Sequence, residues 1–118
     1  MKPNMEGTRT MTEREADKLR VEEPRRAALK HFAVFLRMKD AALSQQFRAQ
    51  HLSFLDERRG EGLLHANGRF VDGSGGLVIY RAETFEEVEA WVKRDPYVVY
   101  GARDYEIHEW DIVIADRI

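Results

Sequence analysis

Apolar residues crowd the chain from residue 31 onward and are sparse before it, and their spacing changes from one stretch to the next. Phe32, Ala33, Val34, Phe35 and Leu36 run without alternation inside 31–38, which predicts a strand covered on both faces. Leu43, Phe47, His51 and Leu55 then recur every four residues, with Phe54 beside them, so a helix is expected from about Ala41 to Arg59. Arg58 and Arg59 suit its last turn, and Gly60 is the expected left-handed cap. Leu63–Val71 predicts a second strand, the cluster Asp72, Gly73, Ser74, Gly75, Gly76 a turn, and Leu77–Arg81 its hairpin partner. Thr84 and Glu87 have capping-box spacing and open a helix whose buried side is expected to be Phe85, Val88, Trp91 and Val92. Asp95 precedes Pro96 and is pushed out of the helical region, which ends that helix, and a last strand is expected from about Arg103 to Ile114.

The order strand, helix, strand, strand, helix, strand is the ferredoxin-like βαββαβ arrangement, an α+β fold with a four-stranded antiparallel sheet and helices on one face. The first strand is apolar on both sides, and the last carries Tyr105 and Ile107 on one parity with Trp110, Ile112 and Ile114 on the other. The open face is therefore expected to be covered, most economically by a second copy in a homodimer packed sheet on sheet. Residues 1–29 hold only isolated apolar positions in mixed charge, with Pro24 interrupting, so they read as a charged, flexible tail preceding a domain over 30–118. Thr12 and Glu15 again have capping-box spacing, allowing a short exposed helix from Glu13 to about Glu22.

Composition removes several function classes. With no cysteine there is no disulfide, thiolate metal site or cysteine nucleophile, and a reducing, cytoplasmic setting is expected. No apolar run approaches the ~18 residues of a membrane span, and the charged first thirty residues do not resemble a signal peptide. A net charge of −2, with arginines scattered among acids, gives no electrostatic footprint for nucleic acid. The glycines at 73, 75 and 76 join two strands rather than a strand to a helix, so no nucleotide cofactor is expected. His31, His65 and His108 show no metal-ligand spacing, and Ser74 lacks the base and elbow of a serine nucleophile.

The remaining candidates gather at one end of the sheet. A carboxylate at a helix C-terminus meets the negative end of the macrodipole, so Asp95 calls for a compensating partner: backbone N–H groups in an Asx turn, a histidine elsewhere, or both. His51 is in register with the core-facing stripe; it is either a space-filling core histidine or a general base. Topology brings the start of the first helix, the end of the second and the hairpin together, so His51, Asp95 and Asp72 are candidate acid–base residues. Asp72 has the alternative of a turn carboxylate bonding local N–H groups. Gly68 in a strand suggests close approach of a ligand, Arg69 is either a surface arginine or a bidentate anion ligand, and Tyr97 and Tyr100 are candidate pocket walls.

Several motifs, taken in order, resemble the YciI-like (YCII-related) family over roughly residues 31–114. They are His51, Leu52, Phe54, Leu55; Gly62, Leu63, Leu64; Ala66, Asn67, Gly68; Asp72, Gly73, Gly75, Gly76; Thr84, Glu86, Glu87; and Asp95, Pro96, Tyr97 with Gly101. The resemblance implies a dimeric α+β barrel in which a first-helix histidine and one or more aspartates near a cleft form an acid–base pair. The family often has proline after the glycine matched by Gly68; this chain has Arg69, which changes the charge of the cleft rim. The combined reading is a cofactor-free, metal-free small-molecule enzyme that uses His51 with Asp95 or Asp72 for elimination, isomerisation or hydrolysis. The alternative is a non-catalytic homodimer that binds a small ligand or a protein; cofactor-independent oxidation rests on fold analogy alone.

Overall fold

A computed structural model describes residues 29–115. The helix expected over 13–22, and the rest of the chain before residue 29, lie outside the described residues. The elements are β1 (Lys30–Met38), α1 (Ala41–Gln46), α2 (Arg48–Gly60), β2 (Leu64–Arg69), β3 (Gly75–Ala82), α3 (Phe85–Val92), α4 (Pro96–Val99) and β4 (Arg103–Trp110). The four strands form one sheet in the order β2-β3-β1-β4, and every neighbouring pair is antiparallel. The α+β, ferredoxin-like expectation is therefore met.

Antiparallel partners share a face, so the register sorts the side chains. Phe32, Val34 and Leu36 of β1, with Val78 and Tyr80 of β3, form the core beneath the helices together with Phe54, Leu55, Val88 and Val92. Burying each large side chain contributes roughly 1.5–3 kcal/mol, which holds the helices on this face. The opposite face has an apolar centre of Ala33 and Phe35 beside Leu77 and Ile79. Its rim is polar: Glu106 lies opposite Phe35, His108 opposite Ala33, and Arg81 opposite His31.

Several boundaries depart from expectation. The first helix is interrupted at Phe47 (φ −104°, ψ 12°), whose ring stacks at 4.0 Å on Tyr100 and ties the bend to the segment after α4. The bonds from Phe47 N to Leu43 O and from His51 N to Phe47 O persist, so the apolar period runs through the bend and conceals it. Gly60 remains helical; the left-handed residue is Gly62 (φ +80°), which turns the chain into β2. Phe85 is 40 % exposed rather than buried, because it sits in the first turn of α3 and meets the core only edge-on at Phe32. Strand pairing of β4 stops at Trp110, leaving Ile112 and Ile114 beyond the sheet.

The largest departure concerns Asp95. The helix before it ends at Val92, and Asp95 is the N-cap of α4, with Pro96 in the first position and the carboxylate Oδ1 accepting from Tyr97 N at 2.9 Å. The carboxylate thus meets unpaired N–H groups at a helix start, where it is stabilising, and no macrodipole penalty needs compensation.

Candidate active site

Asp95 is 2 % exposed and His51 is 7 % exposed. The imidazole Nδ1 lies 2.8 Å from Asp95 Oδ1 and 3.0 Å from Oδ2, although 44 residues separate the two in sequence. A carboxylate only accepts, so Nδ1 is the donor, and in the neutral ring Nε2 carries the free lone pair. No hydrogen bond holds Nε2 among the described residues, and His51 lines a hollow of about 770 Å³. The ring is also fixed in its plane: Tyr97 stacks on it at 4.0 Å with 15° between planes, and the Arg103 guanidinium lies 4.3 Å over the Tyr97 ring. One short segment, Asp95 to Tyr97, therefore supplies both the hydrogen bond and the stacking surface that orient the imidazole.

Behind the pair stands Tyr80, 1 % exposed, whose hydroxyl finds no hydrogen-bond partner among the described residues. Burial pushes that hydroxyl well above the usual phenol range, the Asp95 charge adds to the rise, and Arg58 opposes it. Tyr80 consequently stays a neutral phenol beside the carboxylate.

The hollow lies between α1, the first turns of α2, and the ends of the strands. Its floor is set by register: Leu36, Gly76 and Arg69 stand opposite one another on the helix-covered face. A Cβ on Gly76 would come within 2.9 Å of the Gly68 carbonyl oxygen, so packing requires glycine, and its missing side chain leaves the floor bare. Gly68, Arg69 and Tyr97 all line the hollow with His51, while Asp95 lies behind the ring. Asp72 does not line it: it is exposed in the hairpin, and its Oδ1 accepts from Ser74 N at 2.9 Å. Hydrogen bonds from Ser74, side chain first and backbone next, hold the Asp72 carboxyl below its usual range. Tyr100 is half exposed and stacked on Phe47, outside the lining.

Among the lining residues that the sequence does not single out as site candidates are Ser44, Arg48 and Arg103. Ser44 is 4 % exposed, donates to the Ala102 carbonyl at 3.3 Å and accepts from Arg103 Nε at 3.0 Å. Ser44, Arg48, His51 and Leu55 follow the helical 4-3-4 spacing, so a stripe of polar residues on His51's own face is the available signal. Among the described residues, no three of His, Cys, Asp and Glu are grouped as a metal-binding set, and no helix is long and apolar enough to cross a membrane.

The fold and site define a ferredoxin-like α+β domain with a buried histidine–aspartate pair at one rim. The chain belongs to the YCII-related domain family, whose model matches residues 30–111. It is 32 % identical over 79 residues to the uncharacterized protein YjpA of Bacillus subtilis (strain 168), covering 67 % of this chain and 93 % of that one. Among solved structures it resembles 5-chloro-2-hydroxyhydroquinone dehydrochlorinase (TftG) from Burkholderia phenoliruptrix AC1100, in complex with 2,5-dihydroxybenzoquinone. The TM-score is 0.60 at 20 % identity, covering 69 % of this chain and 93 % of that one, which is a likeness of fold.

Proposed function

We propose that this protein is a small-molecule enzyme that moves a proton between substrate and His51 Nε2, with Asp95 fixing the ring and stabilising the imidazolium that forms. The observation that carries this reading is the His51 Nδ1 to Asp95 contact at 2.8 Å in the wall of an open hollow. An imidazole held on one nitrogen and open on the other is suited to general base and general acid steps alike. Elimination is the favoured reaction class, since it needs one base and no covalent intermediate, and the structural neighbour is a dehydrochlorinase, an enzyme that eliminates HCl. Isomerisation and hydrolysis use the same proton transfer. Tyr97, Gly68 and Arg69 serve as substrate-contacting residues, and Asp72 is left to its turn.

The test is a turnover screen of hydroxylated and halogenated aromatic acids, with His51→Ala as control. The proposal expects turnover in the wild type and a loss of about 10²–10⁴-fold in the variant. Equal rates in both would remove the histidine from the chemistry, and binding of these compounds without turnover would favour the ligand-binding alternative.

The same reading includes a homodimer through the open sheet face, supported by the half-buried Phe35 and Leu77 at its apolar centre. Sedimentation should give twice the chain mass for the wild type and the monomer mass for Phe35→Asp; a monomeric wild type rejects it.

A further inference from the structure

Resting on the proton-transfer reading above, we infer that the hollow selects a small organic carboxylate, an apolar body with one anionic group held by Arg48, Arg69 and Arg103. Three arginines line the hollow and no Asp or Glu does. Such a wall of one sign is unusual in a chain whose acids outnumber its bases, 21 to 19, so the charge is concentrated here rather than inherited from composition.

Among the described residues none of the three meets a carboxylate. The side chains of Arg48 and Arg69 make no hydrogen bond or ion pair among the described residues, whereas Arg37, Arg58 and Arg59 each reach a carboxylate within the ion-pair range. Arg103 is half-buried and spends two N–H groups on neutral acceptors, Ser44 Oγ at 3.0 Å and the Leu36 carbonyl at 3.3 Å. Those bonds and the Tyr97 ring fix its plane without cancelling its charge. A guanidinium has five N–H donors in a rigid fork, matched to the two oxygens of a carboxylate. Cations left without counter-ions around one cavity raise the local concentration of anions and repel cationic solutes.

The rest of the lining limits the ligand's body. Leu36, Leu52 and Leu55 make part of the wall apolar, and Gly76 leaves the floor free of side chain. The volume of about 770 Å³ suits a small molecule rather than a peptide segment or a nucleotide chain. Arg69 stands in the sheet row that also holds Leu36 and Gly76, so it lines the hollow from the bare floor's own row, and Arg48 lies one helical turn before His51. An anionic group held by these arginines therefore places the ligand's body beneath the imidazole.

The experiment is binding rather than turnover, followed by amide and imidazole NMR shifts of the whole chain. The probes are benzoate, salicylate and phenylacetate, each against its neutral amide, with inorganic phosphate as a competitor. The carboxylates should bind about ten-fold or more tightly than their amides, and Arg69→Gln or Arg48→Gln should weaken them by about ten-fold, as expected for charge-assisted bonds. Both arginines are exposed, so these variants keep the fold, and Lys93→Gln, outside the hollow, should leave binding unchanged. Carboxylates that bind no better than their amides, or arginine variants that bind like wild type, would overturn the proposal. So would phosphate that binds as tightly as every carboxylate, because the site would then hold any anion. Arginine-dependent carboxylate binding with no His51-dependent turnover would leave this inference standing and defeat the proton-transfer reading. His51-dependent turnover of neutral compounds alone, with no carboxylate bound, would do the reverse.

Discussion

His51 and His108 each meet a carboxylate through one ring nitrogen, at 2.8 Å and 2.5 Å, in opposite surroundings. His108 and its partner Glu106 are two residues apart on one face of β4, both solvated, with Arg37 sharing the carboxylate at 2.5 Å. His51 and Asp95 come from separate helices, are buried, and are held further by a backbone N–H and a stacked ring. A short histidine–carboxylate distance is therefore not itself a site. What separates the two is that the buried pair is fixed by its surroundings and opens on one side only, toward a hollow; the exposed pair is free to exchange water for its partner.

Turnover should divide the two pairs most widely. His51→Ala should lower turnover of any substrate found by the screen by about 10²–10⁴-fold, whereas His108→Ala should leave it within the error of a kcat measurement. Asp95→Asn extends the contrast, because an amide can donate to Nδ1 and force the proton onto Nε2. The expected result is a loss on the order of 10²-fold or more in kcat, accompanied by a changed tautomer in the imidazole ¹⁵N shifts. Unchanged shifts would mean that Asp95 does not set the ring.

Stability should divide the pairs in the same direction. Asp95→Ala leaves two donors, His51 Nδ1–H and Tyr97 N–H, without the acceptor they share, and each buried unpaired donor costs about 1–3 kcal/mol. Glu106→Ala, at a solvated position, should stay within about 0.5 kcal/mol. Urea unfolding of both variants checks the ratio; equal losses would show that burial adds nothing to the pair.

The buried pair is partly legible in the amino-acid sequence and partly not, for physical reasons. His51 betrays itself by lying in register with Leu43, Phe47 and Leu55, and Asp95 by preceding a proline. The strands and long helices are legible because their apolar periods differ. The four-residue α4 has too few positions to show a period, so the pattern makes Asp95 end one helix when it begins another, although aspartate followed by proline is itself an N-cap signature. Arg103 has no place in the hollow until strand pairing sets it beside Met38 at the rim. Arg48 and Ser44 share the helix face of His51, but an apolar period does not mark polar positions. The open face is less apolar than the strand pattern predicts, because register puts Glu106 and His108, not Tyr105 and Ile107, on it.

The surroundings of Asp95 offer a weaker contrast. The Tyr80 hydroxyl is buried without a partner among the described residues, so Tyr80→Phe removes a desolvation penalty and leaves the ring in place. The expected change is neutral to about 1 kcal/mol stabilising, read from the urea midpoint. A clear destabilisation would mean that the hydroxyl bonds to the carboxylate and belongs to the pair.

The slightest difference concerns pH and belongs to the exposed pair. The hydrogen bond from His108, then that from Arg37, holds the Glu106 carboxyl below its usual range. A carboxylate whose folded value is depressed binds fewer protons when folded, so its contribution to stability is present above the ordinary glutamate range and fades as pH falls through the folded value. His108→Ala should therefore move the Glu106 carboxyl titration up toward its ordinary range in carbon-detected NMR. The stability difference between variant and wild type should be slight near neutral pH and vanish in acid. A Glu106 titration that does not move in His108→Ala would assign the depression to Arg37, and the exposed histidine would then do nothing that the buried one does.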